Sequence, residues 1–350
     1  MNRLTTWGAL VTLGLVWNVA SASSTLLFVS DHEGRPSIYA TDLKGSRIKR
    51  LTDAQVTDLD PVWSPAGDRI AFVSRRDESG GSVYLMRGDG TEQKRLTHSE
   101  RLDFMPRWHP QGERIVFVSN RAGQRSLFEV NIATGEERQL TEEIYSPRSY
   151  RWSPEGDVLA VVAPTGEGER TEIVTIGSKG ELKAVLVPAS RHGGEIHNLA
   201  WHPDGTRLAY TASTENRREV RLYVYELTEK RSRRIKTPGN VSGIPSWSSD
   251  GEWIAYSSTD SPHPSESRAN LYASPLDVGG EPEAVASRDG DVGQPVWARL
   301  DHGDVIVFTV HGGAGSGLFH CEFQSSGAGG CITVKEGAHI QTPRWLGVMR

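Results

Sequence analysis

Pro61-Val-Trp-Ser-Pro-Ala-Gly-Asp-Arg-Ile-Ala-Phe-Val-Ser74 reads as strand, tight turn, strand. Pro61 to Trp63 ends the first strand. In Ser64-Pro65-Ala66-Gly67 the proline presets its own φ, and the glycine takes the positive φ that reverses the chain. Ile70 to Ser74 is apolar on both faces, as suits a strand sandwiched between two sheets. One copy would predict only a hairpin, and the copies decide the fold.

Trp63 recurs as Trp108, Trp152, Trp201, Trp247, Trp297 and Trp345, at spacings of 45, 44, 49, 46, 50 and 48 residues. A period of this length signals a repeat architecture. The second copy is Pro106-Arg-Trp-His-Pro-Gln-Gly-Glu-Arg-Ile-Val-Phe-Val-Ser119. Trp152-Ser-Pro-Glu-Gly, Trp201-His-Pro-Asp-Gly and Pro245-Ser-Trp-Ser-Ser-Asp-Gly251 follow. The sixth keeps Pro295-Val-Trp297 and Val305-Ile-Val-Phe308 but has lost the Ser-Pro turn. Two short strands follow each turn, such as Ser82-Val-Tyr-Leu-Met86 and Gln93-Lys-Arg-Leu-Thr97. Four strands at this period make one blade of a β-propeller.

The chain after residue 22 starts inside a unit, with Thr25-Leu-Leu-Phe-Val-Ser30, Ser37-Ile-Tyr-Ala40 and Ile48-Lys-Arg-Leu-Thr52. Its missing Trp strand stands at the other end as Pro343-Arg-Trp345. The expectation is an all-β, seven-bladed β-propeller in which a C-terminal strand completes the N-terminal blade and removes the open edges. Six blades is the alternative count.

The Pro-x-Trp-Ser-Pro-Asp-Gly-x-x-Ile-Ala-Phe-x-Ser pattern, with a later Ile-Tyr strand and Arg-Leu-Thr, resembles the WD40-like (PD40) repeat of TolB-type propellers. The resemblance covers nearly the whole chain after residue 22. It implies the fold, and it implies a protein or peptide of the cell envelope as partner. The same blades serve scaffolds, peptidase accessory domains and lyases, so fold alone does not assign activity. Two departures stand out: no separate N-terminal α/β domain precedes the blades, and seven blades are counted where TolB has six.

Residues 1–22 read as a signal peptide, with Arg3 as the positive n-region, an apolar stretch around Leu10 to Val16, and Ala20-Ser-Ala22 as the small-x-small exit. A buried first strand or a membrane anchor is the alternative. Residues 23–350 are then the propeller, and the resemblance places it in the periplasm. The remaining sequence has no stretch apolar and long enough for stable membrane insertion. A net charge of −5 gives no nucleic-acid footprint. The expected state is a monomer.

Cys321 and Cys331, the only two cysteines, lie on consecutive predicted strands of the last blade. They face each other across a Ser/Gly-rich hairpin, so a disulfide is expected, with two unpaired thiols as the alternative. The Trp series reads as structural, a large ring filling the gap between neighbouring sheets in every blade. Lys230, Arg231, Arg233, Arg234 and Lys236 read as charges blunting an exposed sheet edge.

In a propeller the innermost strand lines the central channel. The residues ahead of each Trp are therefore the candidates for a channel-mouth binding site: Asp58 and Asp60, Asp103, Arg148, Glu195 and His197, Ser242, Asp289 and Asp291, and His339 and Gln341. Such a mouth is mostly acidic. It suits a basic partner segment or a divalent cation held by oxygen ligands, while the bland reading is a solvated channel. No cofactor is otherwise expected. Similarity to the oligogalacturonate lyases, seven-bladed propellers that hold a divalent metal with His and Gln side chains, implies a second reading. In it, His197, His339 and Gln341 hold a metal that acidifies a uronate α-proton, and His192 is the nearest further imidazole. Gly313-Ala-Gly-Ser-Gly317 does not match a nucleophile elbow, and no Gly-rich phosphate loop opens a helix. The sequence therefore favours a non-catalytic binding scaffold, with the metal-dependent lyase as the alternative.

Overall fold

The computed structural model describes residues 25–337, apart from 32, 78–79, 142–143, 145, 166–169, 260–268, 277–278, 288–289, 301–302, 313–314 and 325–326. Every regular element among them is a strand. The strands form seven antiparallel sheets in chain order. Blade 1 spans residues 25–50 with three described strands. Blades 2 to 7 span 58–95, 103–139, 149–187, 196–234, 241–286 and 291–337, with four strands each. Each sheet is a simple meander, because antiparallel strands need only short hairpin connections. The molecule is a seven-bladed β-propeller. The expected completing strand at Pro343–Trp345, the signal peptide and most of the 259–268 loop lie outside the described residues.

The ring closes by packing. Leu26, Phe28, Tyr39 and Leu43 of blade 1 share one apolar cluster with Val305, Val307, Leu318 and Val334 of blade 7. A Cβ on Gly45 would lie 1.8 Å from the carbonyl oxygen of Val334, so a blade 1 turn sits directly on the outer strand of blade 7. Only glycine permits that approach.

The six described repeat tryptophans, Trp63, Trp108, Trp152, Trp201, Trp247 and Trp297, are 2–8 % exposed. Three stitch their blade to the preceding one through the indole N–H. Trp108 donates to the carbonyl of Val62 at 3.1 Å. Trp201 donates to that of Arg151 and Trp247 to that of Ala200, both at 3.0 Å. The acceptor is each time the residue just ahead of the previous Trp. Trp345 lies outside the described residues.

The innermost strands are interrupted. Pairing with the second strand slips between Leu59 and Val62, Phe104 and Arg107, Ser242 and Ser246, and Gly293 and Val296. Pro61, Pro106, Pro245 and Pro295 fall inside these slips. Proline cannot donate to a ladder, so it settles at a bulge on the edge strand that faces the channel. Asp60 and Met105 there take φ of 49° and 57°. The bulge bends these four strands just ahead of their Trp and re-aims the residues that reach the channel, whereas the innermost strand of blade 4 pairs without a slip.

In blade 7, Cys321 pairs with Cys331 across the hairpin, and the two are joined as a disulfide. In blade 5 the basic run lies on the outermost strand, Arg231–Arg234, where Arg233 sits 3.5 Å from Glu226.

Candidate functional site

The expected channel-mouth residues separate into three groups. Asp58 and Asp103 begin the innermost strands of blades 2 and 3 and are fully buried. Asp103 takes a hydrogen bond from Arg121 at 2.8 Å, and Arg121 lies over the rings of Phe117 and Phe128. Asp58 stands 3.3 Å from Arg76, which lies over Phe72 and Tyr84. Burial pushes the Asp58 carboxyl above its usual range, partly offset by Ser74 and Arg76. Both carboxylates point into their own blade and close an internal ion pair. They do not rim the channel, which corrects the expectation for these two positions.

Arg148, Glu195 and His197 are brought together. Glu195 forms ion pairs with Arg148 at 3.4 Å and with Arg217 at 3.3 Å, bridging blades 4 and 5. His197 feels both charges, and burial lowers its pKa. Asp291 and Ser242 are exposed, and Asp291 accepts the backbone N–H of Ala269 at 3.2 Å. Asp289, His339 and Gln341 lie outside the described residues. His192 is committed elsewhere. Its ring contacts Tyr210 and Tyr223, its Nε2 is 2.7 Å from the Tyr210 hydroxyl, and desolvation lowers its pKa to about 4. Among the described residues no three His, Cys, Asp or Glu side chains are grouped to hold a metal ion. Beside His197 stands Glu195, already engaged by two arginines, while His339 and Gln341 of the expected metal set lie outside the described residues.

A cavity lies at the other end of the innermost strands, where they run into the turns. Its lining comes from five successive blades, 3 to 7, and its empty volume, including the part open to solvent, is ≈ 890 Å³. Trp108, Trp152, Trp201 and Trp247, with Pro245 and Pro295, form much of the wall. The lining begins at Leu199, Ile244 and Pro295, two to four residues along the strand from His197, Ser242 and Asp291, so on these strands the cavity starts roughly 7–13 Å from the expected mouth.

Two side chains set its character. Arg107 and Arg151 line the cavity and are only 4 % and 7 % exposed. Each spends one Nη1 bond on the carbonyl of the residue before it, Pro106 at 2.6 Å and Tyr150 at 2.7 Å. Nε and Nη2 of Arg107 and Nη2 of Arg151 are buried with no hydrogen-bond partner among the described residues. Burial lowers the pKa of both, and the Arg107 charge lowers that of Arg151 further. The guanidiniums nevertheless remain cations, because arginine does not deprotonate in proteins. Tyr150, fully buried beside them, has its hydroxyl pKa pushed up by desolvation. The Asp60 carboxylate is close enough for its charge to act on Arg107.

The repeat shows that the fold does not require these arginines. The residue before the Trp is Val62, Arg107, Arg151, Ala200, Ser246 and Val296 in blades 2 to 7. Four blades fill the position with a small or apolar side chain. The two arginines were not among the residues singled out from the sequence, although aligning the repeats by column would have found them.

The chain spans 24% of the length of a curated relative from Bacillus subtilis, an uncharacterized peptidase, to which it is 23% identical over 220 residues or 63% of itself. Among solved structures it is similar to TolB from Acinetobacter baumannii, with a TM-score of 0.59 and 17% identity over 79% of this chain and 66% of that one. It is also similar to an oligogalacturonate lyase in complex with manganese, with a TM-score of 0.66 and 16% identity over 87% of both chains. At these identities the likeness is one of fold. Residues 17–193 match the TolB β-propeller domain family, PD40. The match, the recurring Trp-turn-strand unit and the seven sheets agree, and the chain belongs to the TolB β-propeller domain family.

Proposed function

We propose that this protein is a periplasmic, non-catalytic propeller that binds a protein or peptide of the cell envelope at the turn end of its central channel. The observation that carries this reading is the cavity itself. Five blades converge on it, its wall is aromatic and apolar, and its polar groups are few and fixed, as ligand sites are built. Its lining contains no carboxylate or imidazole among the described residues to act as a general base. Residues 1–22, with Arg3 as the positive n-region and Ala20-Ser-Ala22 as the small-residue exit, support secretion, and the family resemblance supports the envelope.

Photo-crosslinking in intact cells tests the reading, with the cross-linker placed at Pro154, a partly exposed residue of the cavity wall, and, as control, at Lys183 on an outer strand. The expected result is an envelope-protein adduct from position 154 alone, competed away by added unlabelled chain. An equal adduct from both positions, or none from 154 in cells whose chain is confirmed in the periplasm, overturns it.

A further inference from the structure

We propose that the turn-end cavity recognises a carboxylate carried by a peptide, with Arg107 and Arg151 donating to the carboxylate and the indole and proline walls receiving the apolar part of the ligand. This rests on the binding reading above and names the chemistry of the ligand.

Three observations converge. Two guanidiniums, each more than nine-tenths buried, line one cavity and keep N–H groups without a partner among the described residues. A buried donor left unmade is unfavourable, and a buried unpaired cation more so, unless a ligand completes it. Four of the seven copies carry Val, Ala or Ser at the same repeat position, so a blade forms without an arginine there; the seventh copy, Pro343-Arg-Trp345, carries Arg344, which lies outside the described residues. In Arg107 the unpartnered Nε and Nη2 form a planar fork of the kind that matches a carboxylate bidentately, and Nη2 of Arg151 adds one further donor.

The charge calls for an anion, since two guanidiniums line the cavity and no carboxylate does among the described residues. The wall agrees, because Trp108, Trp152, Trp201 and Trp247 offer ring faces and edges rather than further donors. The ligand is thus an anionic head on an apolar body.

Binding is measured on the purified full chain by tryptophan fluorescence, since four indoles line the cavity. The probes are N-acetyl-leucine, which mimics a peptide C-terminus, its uncharged amide, the α-amide of N-acetylglutamate, which mimics an internal acidic side chain, and inorganic phosphate. N-acetyl-leucine or the glutamate probe should bind saturably and at least about tenfold more tightly than N-acetyl-leucinamide, because only the anion completes the guanidiniums. Which of the two is preferred identifies a terminal or an internal carboxylate. Arg107→Met and Arg151→Met should each weaken binding at least about tenfold, and Arg151→Lys should lose part of it, as lysine keeps the charge but not the planar guanidinium.

A second readout separates recognition from support of the fold. Without ligand, the R107M/R151M double variant should melt no lower than the wild type, because it removes two buried unpaired charges. The proposal is overturned if the acid and the amide bind alike, if no carboxylate probe saturates by about 20 mM, or if phosphate alone binds. It is overturned equally if the folded double variant keeps wild-type affinity. Should that variant fail to fold, a structural role is indicated for the arginines, and the acid-against-amide comparison on the wild type still decides the ligand. These measurements need no envelope partner, so their failure leaves the cross-linking result standing, and the reverse.

Discussion

His202 of blade 5 packs edge-on against Trp247 of blade 6, with ring centroids 4.7 Å apart, and its Nε2 lies 3.1 Å from the carbonyl oxygen of Gly251. His109 repeats the arrangement one blade pair earlier, on Trp152 and Gly156. In both places histidine replaces the turn serine found at Ser64 and Ser153, and it reaches across the blade boundary where serine bonds within its own turn. A Cβ at position 251 would lie 2.0 Å from His202 Nε2, on a backbone with φ of 75°. Gly251→Ala should therefore combine left-handed strain with overpacking and destabilise by roughly 2–5 kcal/mol. Gly205→Ala has a similar φ of 72° but meets nothing nearer than 3.6 Å, so it should lose only about 1–2 kcal/mol of strain. Urea denaturation of the two variants side by side checks the difference.

The two buried carboxylates of blades 2 and 3 look equivalent and should behave differently. Arg121 donates to Asp103 at 2.8 Å, while Arg76 stands 3.3 Å from Asp58, whose carboxyl burial pushes upward. A raised folded-state pKa means that the charged form of Asp58 is disfavoured by folding, so that its contribution is fully present below the unfolded pKa and lost as pH rises through the folded one. Asp58→Asn should thus be near neutral at pH 7, within about 1 kcal/mol. Asp103→Asn should lose about 1.5–3 kcal/mol, the range for a hydrogen bond to a charged group. Equal losses in thermal melts of the two variants would contradict the distinction.

The blade count was legible because a Trp, a turn glycine and an apolar strand recur together, and each is needed in every blade for the same physical reason. The site was less legible because the innermost strand is not regular. A uniform two-residue alternation places Asp58 and Asp103 toward the channel, yet both turn inward to arginines 18 residues later. That pairing had a signal in the repeated Ser74-Arg-Arg76 and Ser119-Asn-Arg121. Arg107 and Arg151 escaped notice because they sit inside the motif itself, next to the Trp, and at Arg107 a bulge also redirects the chain. Their difference from the other blades appears only against Val62, Ala200, Ser246 and Val296, and the Pro343-Arg-Trp345 copy shares their arginine. The sixth repeat was readable despite its lost Ser-Pro because Trp297 still anchors on its neighbour, its backbone N–H donating to Ser246 Oγ at 3.1 Å.

His192 gives the protein an acid-sensitive point away from the channel. It is wedged against Tyr210 and Tyr223, and desolvation holds its pKa near 4 against an ordinary 6.5. A lowered folded-state pKa for a histidine favours the neutral ring. The stability it secures is fully present above the unfolded value of about 6.5 and is lost as pH falls through about 4. Because the ring is only partly enclosed, the effect is on the order of 1–3 kcal/mol. His192→Gln should flatten the fall in urea midpoint between pH 7 and pH 4 while lowering the pH 7 value. An unchanged pH slope would show that other groups govern the acid transition.

The two ends of the channel make opposite demands on a metal, and elemental analysis separates them. At the turn end, Arg107 and Arg151 repel cations from the cavity they line. At the far end, His197 stands beside Glu195, whose carboxylate is already shared between Arg148 and Arg217. A divalent ion there would have to displace two guanidiniums from a nearly buried carboxylate, leaving arginines without their counter-ion in a site where burial already disfavours charge. The purified chain should therefore carry no transition metal in stoichiometric amount, and added manganese should not raise its melting temperature. One metal per chain, lost in a His197→Ala/His339→Ala variant that keeps its fold, would move the functional site to the far end and make uronate oligosaccharides the substrates to screen. In that outcome the arginine cavity would still be open to the carboxylate test, because Arg107 and Arg151 lie outside the His197 group.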